Sequence, residues 1–195
     1  MILGMLKEAT RDQHKNLETV VDVMDSAMSS EAYGALIQKF HRFYTAIEPL
    51  IRACEMESVG FDFEKRSKIK LLEQDLRNLK IAPIQNTWTD LPVIDGPARA
   101  FGVLYVLEGA TLGGQIITRH LRQNLGIDAD SGCAFFNSYG DQVGPMWKAF
   151  GTAITEFAAN NRDNETIIDA AKETFDSFAR CFSEETAYQV NARAI

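Results

Sequence analysis

The chain has 195 residues, 46% of them hydrophobic, and a net charge of −7. That apolar content is ample for a packed core and excludes a disordered chain, and the length makes a single domain over 1–195 the expectation. The negative balance, with no basic stripe to offset it, excludes nucleic acid as the main partner.

The start MILGMLKEAT lacks the basic-then-apolar pattern of a signal peptide. No apolar run approaches the ~20 residues that span a bilayer, which predicts a cytoplasmic protein without a membrane partner. Cys54, Cys133 and Cys181 lie far apart and in no metal-ligand spacing, as expected of thiols in a reducing compartment. The polar tail from about residue 186 is expected to be flexible.

Met5 to Met24 predicts an amphipathic helix, with Leu6, Ala9, Leu17, Val20, Val21 and Met24 at three- and four-residue steps. His14 falls on that stripe, and Glu18 lies one turn further on. Ser29 or Ser30 caps a second helix over Glu31 to Cys54, whose last turn Pro49 should bend. A third helix is predicted from about Glu64 to Leu79, followed by an irregular connection from Ala82 to Asp95. Asp95 or Gly96, with Pro97, opens a central helix over Ala98 to Leu125 that ends at Gly126. Asp128 to Phe136 reads as a loop and Tyr139-Gly140-Asp141 as a turn. Two more helices follow, Val143 to Ala159 and one from Asn164 or Glu165 through Phe182. The fold class is therefore all-α.

The central helix carries Gly109, Gly113 and Gly114 in an otherwise apolar stretch. Each costs a helix interior roughly 1 kcal/mol against Ala, so something must need the backbone bare. Close packing of another helix explains this, and so does a flat ligand lying against the main chain. His14 alone reads as a surface or core histidine. Glu18 raises its standing, because a carboxylate on one ring nitrogen leaves the other free to bind iron or zinc. No Glu-x-x-His precedes His14, His41 or His120, and neither a nucleophile elbow nor a P-loop occurs. A flat cofactor with one axial histidine is the layout that remains.

LKEATRDQHKNLE, Leu6 to Glu18, resembles the proximal helix of haem oxygenases, and LEGATLGGQ, Leu107 to Gln115, is similar to their kinked distal helix. AFF at Ala134 to Phe136, WKAF at Trp147 to Phe150 and DAAKETF with the later Phe182 follow in the family's order. The LEG-x-x-LGG form most resembles soluble bacterial members, including those encoded beside bacteriophytochromes. The resemblance implies a multihelical bundle with haem between two helices, and opening of the macrocycle at a meso carbon to biliverdin, ferrous iron and carbon monoxide.

The same resemblance makes His14 the iron ligand and Glu18 its hydrogen-bond partner. Gly109 and Gly113, with Gly114 beside them, permit the distal bend where dioxygen reacts. Lys7 and Lys148 match basic positions that hold the haem propionates, and Tyr105 could add a hydrogen bond there. Taken singly, each lysine reads as a solvated surface residue. Phe175, Phe178 and Phe182 share a face of the last helix and read as core, with Phe182 a candidate for the haem edge. The implied partners are dioxygen, an electron donor (ferredoxin, flavodoxin or a reductase) and a bacteriophytochrome as biliverdin acceptor.

The chain departs from animal members at two positions. Ala110 replaces an Asp that anchors the distal waters, and Thr152 replaces a propionate-binding arginine, for which Arg11 or Tyr105 is the substitute. Two rival readings stand beside the enzyme. One is a haem carrier or sensor that does not degrade its ligand; the other is a thiaminase-like hydrolase on a related all-α fold, which would need a pocket cysteine.

Overall fold

In the computed structural model, residues 1–184 are described, and the expected flexible tail lies outside them. Among the described residues there is no strand. The N-terminal helix is broken in two, α1 (Ile2–Ala9) and α2 (Arg11–Val21), where one helix over Met5 to Met24 was expected. The break falls at Thr10, whose hydroxyl donates to the Leu6 carbonyl at 2.8 Å. A threonine bonded back to the preceding turn bends a helix, and Thr10 accordingly has φ −111°. The chain leaves α2 early at Asp22, with a positive φ of 29°.

Ser29 caps α3 (Ser30–Arg52), its hydroxyl accepting from the Ala32 amide at 3.1 Å. Pro49 lies inside the last turn, where it removes one helix hydrogen bond, and the helix nevertheless runs on to Arg52. The next helix, α4 (Ile69–Leu79), starts later than the predicted Glu64. Glu48 of α3 explains the delay: its carboxylate accepts from the Ser67 hydroxyl at 2.5 Å and the Lys68 amide at 2.7 Å. That grip holds residues 67–68 against α3, and residues 64–66 form only a short 3₁₀ turn.

The central stretch is two helices, α5 (Pro97–Gly109) and α6 (Gly114–Leu125), joined by a 3₁₀ turn over Ala110–Gly113. Gly126, at φ +68°, closes α6 in the left-handed conformation that glycine reaches without strain. By length and composition, Pro97–Leu125 could cross a membrane, although no uninterrupted apolar run suggested it; 56% of its most apolar window is buried inside this fold. A short helix, α7 (Ala134–Asn137), stands within the expected loop. Its first turn is held by Asp75 of α4, whose carboxylate accepts from the Ala134 and Phe135 amides at 2.7 and 2.8 Å. The helices α8 (Val143–Asn161) and α9 (Asn164–Ser183) complete the described residues.

The packing centres on α9, which lies against α5 on one side and α2 on another. Gly102 makes the first contact possible: a Cβ there would stand 2.2 Å from the Ile167 carbonyl oxygen. Phe40, Phe135, Phe136, Phe178 and Phe182 form an aromatic core between α3, α7 and α9, with Phe178 stacked on Phe182 at 4.9 Å. Phe61, Phe101, Phe150 and Phe157 form a second group beside α8. The buried apolar residues of both belong to one continuous core.

Asp75 is the sharpest test of this packing. Asp75→Ala strands two buried amides, each worth about 1–3 kcal/mol, so urea unfolding should show a loss of roughly 2–4 kcal/mol. A loss below about 0.5 kcal/mol would place the α7 anchor elsewhere. Burial also pushes the Asp75 carboxyl up from 3.8 to about 6. The part of its stabilisation that depends on protonation is therefore present below pH 3.8 and lost as pH rises through about 6. The difference in stability between wild type and Asp75→Ala should narrow over that window.

Candidate functional site

His14 stands on α2 with its side chain 60% exposed. Its Nδ1 lies 3.6 Å from a carboxylate oxygen of Glu18, an ion-pair distance rather than a hydrogen bond. The ring meets Phe175 of α9 edge-on at 5.8 Å between centroids. One flank of the imidazole is thus set by its own helix and one by α9, and among the described residues Nε2 has no hydrogen-bond partner.

The three central glycines play two different parts. Gly109 and Gly114 both have ordinary helical angles, and Gly113 sits at φ −80°. None of these angles requires glycine, so what the residues supply is a missing side chain. A Cβ at Gly109 would meet no atom within 4 Å, and one at Gly113 would only touch the end of Ile117 at 3.6 Å. At Gly114 a Cβ would stand 2.0 Å from the Phe136 carbonyl oxygen. Gly114 is bare because α7 packs on it; Gly109 and Gly113 are bare beside open space. Leu112 and Ile116, next to that space, are large apolar side chains exposed to solvent.

Tyr105 and Thr10 bring the two halves together. Burial raises the Tyr105 hydroxyl above its ordinary value, opposed by its interaction with Thr10. Thr10 precedes His14 by one helical turn, and Tyr105 precedes Gly109 by one. Trp147, in the first turns of α8, packs on Tyr105 at 6.1 Å and leaves its neighbour Lys148 exposed. Lys7 is exposed on α1, and Arg11 is exposed and paired with Glu8. Phe182 is buried against Phe40 at 4.7 Å, and it is Phe175 that borders His14. The structure thus brings together His14, Glu18 and Phe175, and separately Tyr105, Thr10 and Trp147, whereas Phe182 and Gly114 sit in packing.

Two residues that the sequence did not single out stand behind the glycine turn. Tyr44 lines a small cavity with Ala110, Thr111, Phe135 and Phe136. Burial pushes its hydroxyl far up, and the charges of Glu48 and Glu108 add to the shift. Glu108 is buried and ion-paired with Arg66, and its other carboxylate oxygen accepts from the Tyr139 hydroxyl at 2.7 Å. A carboxylate inside the apolar run LYVLEG was the available signal for it. Among the described residues no three His, Cys, Asp or Glu side chains converge to hold a metal ion. A surface cavity of about 460 Å³ between Arg52, Met56, Phe61, Phe63 and Glu64 includes none of the predicted site residues.

The heme oxygenase family model matches residues 2–184. A heme oxygenase from Xanthomonas campestris pv. campestris (strain 8004) is 25% identical over 161 residues, 81% of this chain and 93% of the relative. The crystal structures of NO- and CO-bound heme oxygenase from Neisseria meningitidis match with a TM-score of 0.79 and 21% identity, over 96% of this chain and 94% of that one. Heme oxygenase from Leptospira interrogans matches with a TM-score of 0.74 and 18% identity, over 94% and 99%. Fold and comparisons define an all-α enzyme class. This chain belongs to the heme oxygenase family, and the protein is a haem-degrading enzyme.

The two kinds of glycine separate on substitution. In the haem-free protein, Gly114→Ala should cost about 1–3 kcal/mol as an overpacked contact, whereas Gly109→Ala should cost nothing or gain up to roughly 1 kcal/mol of helix propensity. Thermal unfolding measures both. Equal losses would show that both glycines serve packing alone.

Proposed function

We propose that this enzyme opens haem at a meso carbon, yielding biliverdin, ferrous iron and carbon monoxide from dioxygen and reducing equivalents. Two observations support this: an imidazole on α2 whose Nε2 has no partner among the described residues, and main chain at Gly109 and Gly113 that no side chain covers. The residues present fit a planar iron porphyrin. A Cβ at 109 would find open space, and the exposed Leu112 and Ile116 offer apolar surface beside it.

In this reading His14 holds the iron through Nε2, and Glu18 steers the ring from the Nδ1 side. Phe175 limits how far the imidazole can swing. Lys7, Arg11 and Lys148 hold the propionates as exposed cations, Arg11 by giving up Glu8, and Tyr105 adds a hydroxyl from beneath. Bound haem supplies the redox chemistry, with its own ring as the group attacked. The chain's part on the other face is largely omission. Gly109 and Gly113 leave room, and Ala110 and Leu112 place no strong acid or base there. Charged donors at such a position favour the O–O cleavage of peroxidases. Tyr44, lining the cavity at Ala110 and Thr111, is the hydroxyl proposed to hold a proton-carrying water where animal relatives use an aspartate.

Electrons come from a ferredoxin, a flavodoxin or a reductase, and a bacteriophytochrome is the proposed biliverdin acceptor. The LEG-x-x-LGG form supports the latter. The thiaminase-like alternative loses ground because it needs a reactive pocket cysteine: Cys133 and Cys181 are buried, and burial raises all three thiols, the part-buried Cys54 included and that of Cys181 to about 12.

Protein mixed with hemin, dioxygen and a reductase system should lose its Soret band and develop a bilin spectrum. A persistent Soret band would leave a haem carrier instead. His14→Ala should keep the fold and abolish turnover, and Glu18→Ala should lower turnover about tenfold, the lower end for a group supporting a metal ligand. Biliverdin formed by His14→Ala without added imidazole would remove His14 as the ligand.

A further inference from the structure

Glu108 immediately precedes Gly109 and is only 2% exposed, in a helix whose neighbouring residues are apolar. Arg66 grips one carboxylate oxygen, and the Tyr139 hydroxyl donates to the other at 2.7 Å. Both terminal nitrogens of Arg66 also reach the Met146 carbonyl at 3.3 Å, next to Trp147 and Lys148. The Lys68 ammonium stands 3.6 Å from the centre of the Tyr139 ring and donates to the Arg66 carbonyl at 2.9 Å. Finally, the Thr111 hydroxyl donates to the Glu108 carbonyl at 2.7 Å, across the start of the glycine turn.

Stability alone does not account for this arrangement. A buried ion pair can be replaced by apolar side chains at little or no loss. The chain also holds a strained residue beside it: Ser138 has a positive φ of 47°, and its buried hydroxyl has no partner among the described residues. Strain of that kind persists only where the surroundings fix it, and the residue that follows, Tyr139, is the one that bonds Glu108. The segment being braced packs through Thr111, while Gly109 and Gly113 present no side chains and Leu112 is exposed.

We propose that Glu108 is a positioning residue: clamped by Arg66 and Tyr139, it fixes the bare turn at Gly109–Gly113 relative to the first turns of α8. Because α8 carries Trp147 and Lys148, the brace sets the angle at which a flat ligand sits between the turn and the propionate-binding cations. Only this last consequence rests on the haem reading. The brace itself belongs to the ligand-free protein.

Hydrogen exchange of the haem-free protein tests it. Tyr139→Phe removes one hydroxyl and keeps the ring under Lys68, so it should fold. Amide exchange over residues 110–114 and 143–148 should rise about tenfold, the loss of one hydrogen bond to a charged group, with α2, α4 and α9 as protected as in wild type. Glu108→Gln should show the same local pattern and, loaded with hemin, should change the ratio of biliverdin isomers more than the affinity for hemin. Exchange that rises evenly through α3, α5 and α9, or not at all over 110–114, would overturn the proposal and reduce the network to core packing. If wild type bound no hemin, the haem reading would fail while the exchange pattern still decided the brace.

Discussion

A side chain at residue 109 would meet nothing, and one at residue 114 would run into a carbonyl. That difference over a turn and a half separates a packing contact from a stretch of uncovered main chain. The helix must approach α7 closely enough at Gly114 to be anchored, yet keep its main chain uncovered at Gly109 and Gly113. Since the backbone angles at Gly109 and Gly114 are helical, the glycines are there for space rather than for conformation. The bend itself is a short tightened turn over Ala110–Gly113, tied at its start by Thr111.

The other wall depends on α9. Through Gly102 the main chain of α5 lies against Ile167 and Ala170, and through Phe175 the same helix borders the His14 ring. One helix therefore sets both the imidazole and the base of the glycine helix. Polar groups do the corresponding task on the far side, where Arg66 joins the end of α5 to the beginning of α8. Aromatic packing fills the volume between, and its burial supplies most of the driving force.

Much of this was legible in the residues because it is local. Helical spacing revealed the long elements, Ser29 and Gly126 marked boundaries by their caps, and the cost of three glycines in one helix pointed to the bare turn. His14 and Glu18 are one turn apart on one helix, so their proximity followed directly. What escaped was decided by contacts between distant parts of the chain. The helix at 134–137 exists because Asp75, some sixty residues earlier, binds its amides. The late start of α4 comes from Glu48 on α3. Phe175 and Phe182 look alike in sequence, yet one borders His14 and the other stacks in the core, because α9 crosses different neighbours along its length. Glu108 was in plain view within LEG, but its partners Arg66 and Tyr139 are set only by the fold.

The account stands on a porphyrin held between α2 and the glycine turn, and a crystal structure of the hemin complex tests that most directly. It should show the iron bonded to Nε2 of His14, and the opposite face of the ring lying over Gly109 and Gly113. Iron bonded by another side chain, or a ring seated in the cavity between Arg52 and Glu64, would contradict it.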